Sequence, residues 1–169
     1  MALSARDFLN MSQPELDDLF RASSAGPIPA GDAVGTAIVR PGTVLADIAA
    51  PVVSGLAWQG KVFDPVSGTL RNKITPLGVE QIVAKVYKAP SWFDDRECIV
   101  LDYSGTSFVA QSVRDEIREV SPGLYLGIVY ISRQKTINFA LQFGGGPQTT
   151  SLWRRLKAKL GAVLARKGS

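Results

Sequence analysis

Histidine is absent from this chain of 169 residues. That removes the commonest general base and the usual ligand for zinc and for haem. Cysteine occurs once, at Cys98, and a single thiol makes no internal disulfide and carries no mark of an oxidising compartment. Zinc and iron–sulfur chemistry therefore lack a ligand set, no metal or cofactor is expected, and any catalysis would run on Asp, Glu, Lys, Tyr or Ser. No run approaches the roughly 18 apolar residues of a membrane-spanning helix. The start, Met1-Ala-Leu-Ser-Ala-Arg-Asp-Phe-Leu-Asn, has neither the continuous apolar stretch nor the cleavage site of a signal peptide. The cytoplasm is the expected location.

What is present is ordinary in amount and uneven in placement. Hydrophobic residues make up 46% of the chain and charged residues 20%, which is the composition of a folded globular protein. The length fits one domain. The net charge of +4 hides an asymmetry, because six of the 19 basic residues (Arg154, Arg155, Lys157, Lys159, Arg166 and Lys167) follow residue 150, where there is no acid. The rest of the chain carries 13 basic and 15 acidic residues. The basic character belongs to one segment, so a pI near 9.4 is weak ground for nucleic-acid binding, and no recognition motif accompanies it.

Local signals divide the chain into helix, meander and tail. Ser12-Gln-Pro-Glu15 reads as a helix start, with Ser12 as N-cap and Glu15 completing a capping box, and Leu16, Leu19 and Phe20 share one face. Ala25-Gly-Pro-Ile-Pro-Ala-Gly31 ends that helix. Leu45, Ile48, Val52 and Leu56 recur at helical spacing across Pro51 and predict a second helix. Strands are predicted near Ala33 to Arg40, then at Ala57 to Asp64, Thr69 to Ile74, Val79 to Lys88, Glu97 to Tyr103, Asp115 to Val120, Leu124 to Ser132 and Lys135 to Phe143, separated by Pro/Gly/Asp/Ser turns. Ile137, Phe139, Leu141 and Phe143 alternate with Asn138, Ala140 and Gln142, the period of a strand with one buried face. The stretch from Thr106 to Arg114 fits no strand and is read as a short helix over a barrel mouth. Gly144-Gly-Gly-Pro147 is a linker and not a phosphate loop, since no Gly-Lys-Ser/Thr follows it.

Short connections without crossover helices predict antiparallel pairing, and closure removes exposed edges. The expected fold is mainly all-β: an antiparallel up-and-down barrel of about eight strands, with short N-terminal helices and a C-terminal amphipathic helix. The divisions are 1–31 for the N-terminal helix and linker packed on the barrel, 32–143 for the barrel, 144–150 for a flexible linker and 151–167 for the basic amphipathic helix. A barrel of about eight strands is filled by its own side chains or holds one small ligand.

The segment Gly55-Leu-Ala-Trp58-Gln-Gly60-Lys61-Val-Phe63-Asp resembles the Gly-x-Trp element of lipocalins and other calycins, with a spacing one residue longer. In those proteins the Trp plugs the closed end of the barrel. Val113-Arg-Asp-Glu-Ile-Arg-Glu-Val-Ser-Pro-Gly-Leu-Tyr-Leu-Gly127 and Ile99-Val-Leu-Asp-Tyr-Ser104 are similar to the signature of a group of uncharacterised bacterial calycin-like proteins. The resemblance spans roughly residues 14 to 143 and implies a fold, of the lipocalin or fatty-acid-binding-protein kind, without implying a reaction.

Candidate ligand-binding residues are Trp58, Lys61, Asp102, Tyr103, Arg114, Glu116, Arg118, Tyr125, Tyr130 and Phe139. Alternation along the predicted hairpin puts Arg114, Glu116 and Arg118 on one face and Asp115, Ile117 and Glu119 on the other. If the first set faces inward, the barrel holds paired charges able to grip a polar head group or do acid–base work. The competing reading is a solvated strand face laced with ion pairs, favoured because Arg and Glu are rarely fully buried. The tyrosines suit an amphipathic ligand and serve equally as ordinary core. In the tail, Leu152, Trp153, Leu156, Leu160, Val163 and Leu164 line one helical face. Trp153 with Arg154, Arg155, Lys157, Lys159, Arg166 and Lys167 then makes a candidate membrane-binding surface for anionic lipid, peripheral to the inner membrane; docking of the same apolar face on the barrel is the alternative.

The leading expectation is a non-enzymatic carrier of a small hydrophobic or amphipathic molecule, such as a lipid or fatty-acid-like compound. A rival is a small histidine-free isomerase, cyclase or hydrolase using Asp102, Glu116 or a Tyr as acid or base, with Arg118 holding the substrate. A third reading is a structural or interaction module with a solid core. The catalytic residues, the ligand and the oligomeric state are not legible in the sequence.

Overall fold

The computed structural model describes residues 3–38, 58–74, 83–105 and 111–144. The chain enters through a single 3-10 turn, Asp7–Asn10, followed by helix α1, Gln13–Ala22. The capping box forms as read: the Glu15 amide donates to Ser12 Oγ and the Ser12 amide donates to Glu15 Oε2 at 2.6 Å. Eight strands follow: β1 Gly31–Ile38, β2 Trp58–Asp64, β3 Thr69–Ile74, β4 Val83–Pro90, β5 Glu97–Asp102, β6 Val113–Ser121, β7 Leu124–Ile131 and β8 Gln134–Phe143. Each pairs antiparallel with the next, and β1 pairs with β8 from Ala33↔Phe143 to Ile38↔Asn138, so the sheet is a closed up-and-down barrel.

The strand bounds lie within a few residues of those expected, with one informative shift. Val113 and Arg114, read as part of a loop helix, are the first residues of β6, paired with Ile131 and Tyr130. The second helix expected over Thr43 to Leu56, residues 106–110, the linker 145–150 and the C-terminal helix lie outside the described residues.

Two apolar layers hold the structure. Inside the barrel, Ala33, Phe63, Leu70, Ala84, Val86, Ile99, Leu101, Ile117, Tyr125, Phe139, Leu141 and Phe143 form one buried cluster. A second lies on the outer wall, where Phe8, Leu16 and Phe20 of the N-terminal segment cover Leu124, Leu126, Ile128, Tyr130 and Ala140 of β7 and β8. Burying each large side chain is worth about 1.5–3 kcal/mol. This is why β7, Leu-Tyr-Leu-Gly-Ile-Val-Tyr-Ile, is apolar at nearly every position: both of its faces are covered.

The two ends of the barrel differ. At one, the connections are short (65–68, 91–96 and 122–123), and the segment after α1 straps across: Ser24 bridges Glu119, Tyr125 Oη donates to the Pro27 carbonyl at 3.0 Å, and Ala25 and Ile28 pack into the interior cluster. Phe63, Tyr125 and Phe143 meet edge-on there, with centroids 5.2 and 5.4 Å apart. At the other end run the connections 39–57, 75–82 and 103–112. Trp58 stands at the start of β2, on this loop end, paired with Ile74. The aromatic plug of the strapped end is therefore made by Phe63, Tyr125 and Phe143, unlike the arrangement that the calycin resemblance implies for the Trp. Gly60 is required just after Trp58: its φ is +130° and a Cβ there would lie 1.9 Å from the Ala33 carbonyl oxygen.

Candidate functional site

Alternation fixes which side chains enter the lumen. Lys61 shares a face with Phe63 on β2, Asn72 with Leu70 on β3, and Asp115 with Ile117 on β6; Tyr103 follows Ile99 and Leu101 at the end of β5. These four polar groups meet on the inner wall. The Lys61 ammonium donates to Asn72 Oδ1 at 2.9 Å, to Asp115 Oδ2 at 3.0 Å and to Tyr103 Oη. Tyr103 Oη in turn donates to Asp115 Oδ2 at 3.2 Å, and the Phe139 ring faces the ammonium 5.5 Å from its centroid. Lys61, Tyr103 and Asp115 are each only 4% exposed, so this is an ion pair taken out of water and not a rim contact.

The electrostatics follow from that burial. Burial opposes the Lys61 charge, but the Tyr103 oxygen and the Asp115 carboxylate outweigh it and hold the ammonium above the ordinary lysine value. Burial and the neighbouring carboxylate push Tyr103 up to about 12, so its hydroxyl stays protonated and acts as a donor at neutral pH. A lysine held charged is a cationic hydrogen-bond donor and not an amine nucleophile.

Around the quartet the inner wall is apolar and changes in exposure along the barrel axis. At the strapped end, inward-facing residues such as Leu70, Ile99 and Ile117 are fully buried. At the loop end, Val113 and Val129 pack on the interior cluster yet remain half-buried, as does Ile137, the strand partner of Val129. On β1 the lumen-side positions are small, Ala33, Gly35 and Ala37. The Phe139 ring reaches over Gly127 across the β7–β8 pair, where an added Cβ would come within 2.3 Å of it.

The other half of the candidate residues stands elsewhere. Arg114, Glu116 and Arg118 point away from the lumen, which corrects the inward alternative for that face. They are not a solvated surface either: Glu116 and Arg118 are fully buried beneath the 91–96 loop and the end of α1. Arg118 places all five of its N–H donors, on the Asp94 carboxylate (2.6 and 2.7 Å) and on the carbonyls of Phe20, Arg96 and Glu97 (3.0 to 3.1 Å). Glu116 accepts from Ser91 Oγ, from the Trp92 amide at 2.9 Å and from Arg114 Nε at 2.9 Å. Asp102 lies on the outer wall, accepting from Tyr87 Oη at 3.1 Å and from the Ser104 amide at 2.9 Å. Tyr130 packs in the outer layer against Trp92, and its hydroxyl has no partner among the described residues.

Of the ten candidates, Lys61, Tyr103, Tyr125 and Phe139 therefore face the lumen, and Tyr125 belongs to the strapped end. Asp102, Arg114, Glu116, Arg118 and Tyr130 belong to the outer wall, and the Trp58 side chain lies outside the described residues. So do the membrane-binding candidates, Trp153 to Lys167. Sequence reasoning missed Asn72 and Asp115. The signal for Asp115 was Ile117: an apolar residue two positions along on the same face marks that face as the lumen side. Cys98 is buried on the outer wall, and desolvation pushes its thiol up to about 12, which leaves it inert.

No family model matches the chain, and no curated protein matches it. Among solved structures, the fold is similar to that of the crystal structure of a protein from Thermomonospora curvata, with a TM-score of 0.57 and 17% sequence identity over 80% of this chain and 89% of that chain. At that identity the likeness establishes a shared barrel and carries no residue role across.

Proposed function

We propose that this is a calycin-like binding protein that takes up one small, mostly apolar molecule at the loop end of the barrel, its polar group set against Lys61, Asn72, Tyr103 and Asp115. The observation that carries the reading is the buried Lys61–Asp115 pair on an otherwise apolar inner wall. Desolvating two charges costs several kcal/mol per ion, and well-packed apolar residues in their place are often neutral or better for stability. A pair kept under those terms is best accounted for by recognition, in the usual pattern of an apolar pocket with a few convergent polar groups. The half-buried Val113, Val129 and Ile137 and the small β1 residues supply the apolar wall and the room, and each CH₂ of a guest buried there adds about 0.8 kcal/mol.

Binding is favoured over turnover because two of the groups considered for acid–base work, Asp102 and Glu116, are engaged on the outer wall, while the lumen tyrosine, Tyr103, is held protonated and Lys61 charged. Native mass spectrometry of the purified full-length protein, with solvent extraction of the same sample, tests the reading. The expected result is one small apolar molecule per chain, released on denaturation. A bare polypeptide mass that stays bare after incubation with medium-chain alcohols, acids and esters would favour a solid barrel instead.

A further inference from the structure

The quartet is unevenly satisfied, and the unevenness specifies the guest's polar group. An ammonium has three donors, and among the described residues Lys61 donates to Asn72 Oδ1, Tyr103 Oη and Asp115 Oδ2. Both bonds to the Asp115 carboxylate fall on the same oxygen, Oδ2. Its other oxygen, Oδ1, accepts no hydrogen bond among the described residues, although the side chain is only 6% exposed and stands on the lumen face beside the half-buried Val113. A carboxylate oxygen is a strong acceptor, and Oδ1, unlike the Tyr130 hydroxyl, is not shut off from solvent, so it is the part of the carboxylate that a donor entering the lumen can reach.

We infer that the guest presents an uncharged hydrogen-bond donor, a hydroxyl at the end or edge of an apolar body, to Asp115 Oδ1, and that the site discriminates against carboxylates. This rests on the proposed binding at the loop end and goes beyond it by naming the head group. The Lys61 charge is already balanced by Asp115, so an incoming carboxylate would meet no uncompensated cation and would place its own charge beside another in a poorly hydrated site. An ester or ether brings only acceptors, which would cover Oδ1 without giving it a donor. A hydroxyl donates to Oδ1 and brings no net charge.

The test is isothermal titration of the full-length protein at pH 8 with three probes of one chain length: dodecan-1-ol, dodecanoate and methyl dodecanoate. The expected order places the alcohol about tenfold or more ahead of both others, the size of one hydrogen bond to a charged group. In Asp115→Asn, where Lys61 loses its counter-ion, the preference should turn toward dodecanoate. Dodecanoate or the ester matching the alcohol in the wild-type protein would overturn the inference while leaving the binding reading intact. Failure of all three to bind would overturn both. The wild-type series decides even where Asp115→Asn does not fold.

Discussion

Arg118→Ala is expected to cost on the order of 3–5 kcal/mol in urea unfolding, the range for breaking a buried ion pair by removing one partner. The guanidinium is fully buried and ties its own strand, β6, to two pieces of chain that are distant in sequence from each other: the C-terminal turn of α1 through the Phe20 carbonyl, and the 91–96 loop running into β5 through the Asp94 carboxylate and the Arg96 and Glu97 carbonyls. It also lies 4.5 Å from the centroid of the Phe20 ring. Removing it strands a largely buried carboxylate and three carbonyls together. Arg118→Lys keeps the charge but not the planar fork, so it should recover only part of the loss. Acid dependence gives a second readout. The Arg118 hydrogen bonds hold the Asp94 carboxyl below its ordinary value against the opposing effect of burial. The pair's contribution is therefore fully present above pH 4 and is lost as the pH falls through the lowered folded value. That acid step should shrink in Arg118→Ala. A variant within about 1 kcal/mol of wild type would show that the outer layer does not depend on this clamp.

Lys61→Met should be comparably damaging, about 3–5 kcal/mol, because it leaves the Asp115 carboxylate buried without its cation. The double replacement Lys61→Met/Asp115→Leu is expected to behave in the opposite way, regaining wild-type stability to within about 1 kcal/mol or exceeding it, since neither charge then has to be desolvated. Chemical denaturation of both variants measures the contrast. A double variant as unstable as the single one would mean that the pair is part of what holds the barrel closed, and recognition would no longer be needed to account for it.

The barrel was legible in the sequence because each strand is a short alternating or apolar run bounded by Pro, Gly, Asp or Ser, and because no connection among the strands from Ala57 onward has the length of a crossover helix. The capping box of α1 was equally plain, since Ser12 and Glu15 satisfy each other locally and need nothing from the rest of the fold. The site was only half legible, for a reason of geometry. Period-two alternation says that Arg114, Glu116 and Arg118 share a face and does not say which way that face points. The missing information was in their neighbours. Ile117 marks the lumen side of β6, and the apolar outer positions of β7 show that a helix covers that part of the wall. Charges under such a cover can be buried and yet lie outside the lumen, an arrangement between the two readings considered for that face. Lys61 and Tyr103 were identified as candidates, but their partners Asn72 and Asp115 come from strands far apart in sequence, and only closure of the barrel brings them within hydrogen-bond reach.

The most direct measurement is a map of amide ¹H–¹⁵N shifts in the full-length protein titrated with dodecan-1-ol. The expected result is a set of saturable changes at Lys61, Asn72, Tyr103 and Asp115 and at the neighbouring Val113, Val129 and Ile137, with Arg114 to Arg118 on the outer wall changing only where they share a peptide with the site. Changes centred instead on Trp92, Tyr130 and the α1 contact, or on the strapped end around Phe63 and Phe143, would contradict a guest seated against the quartet.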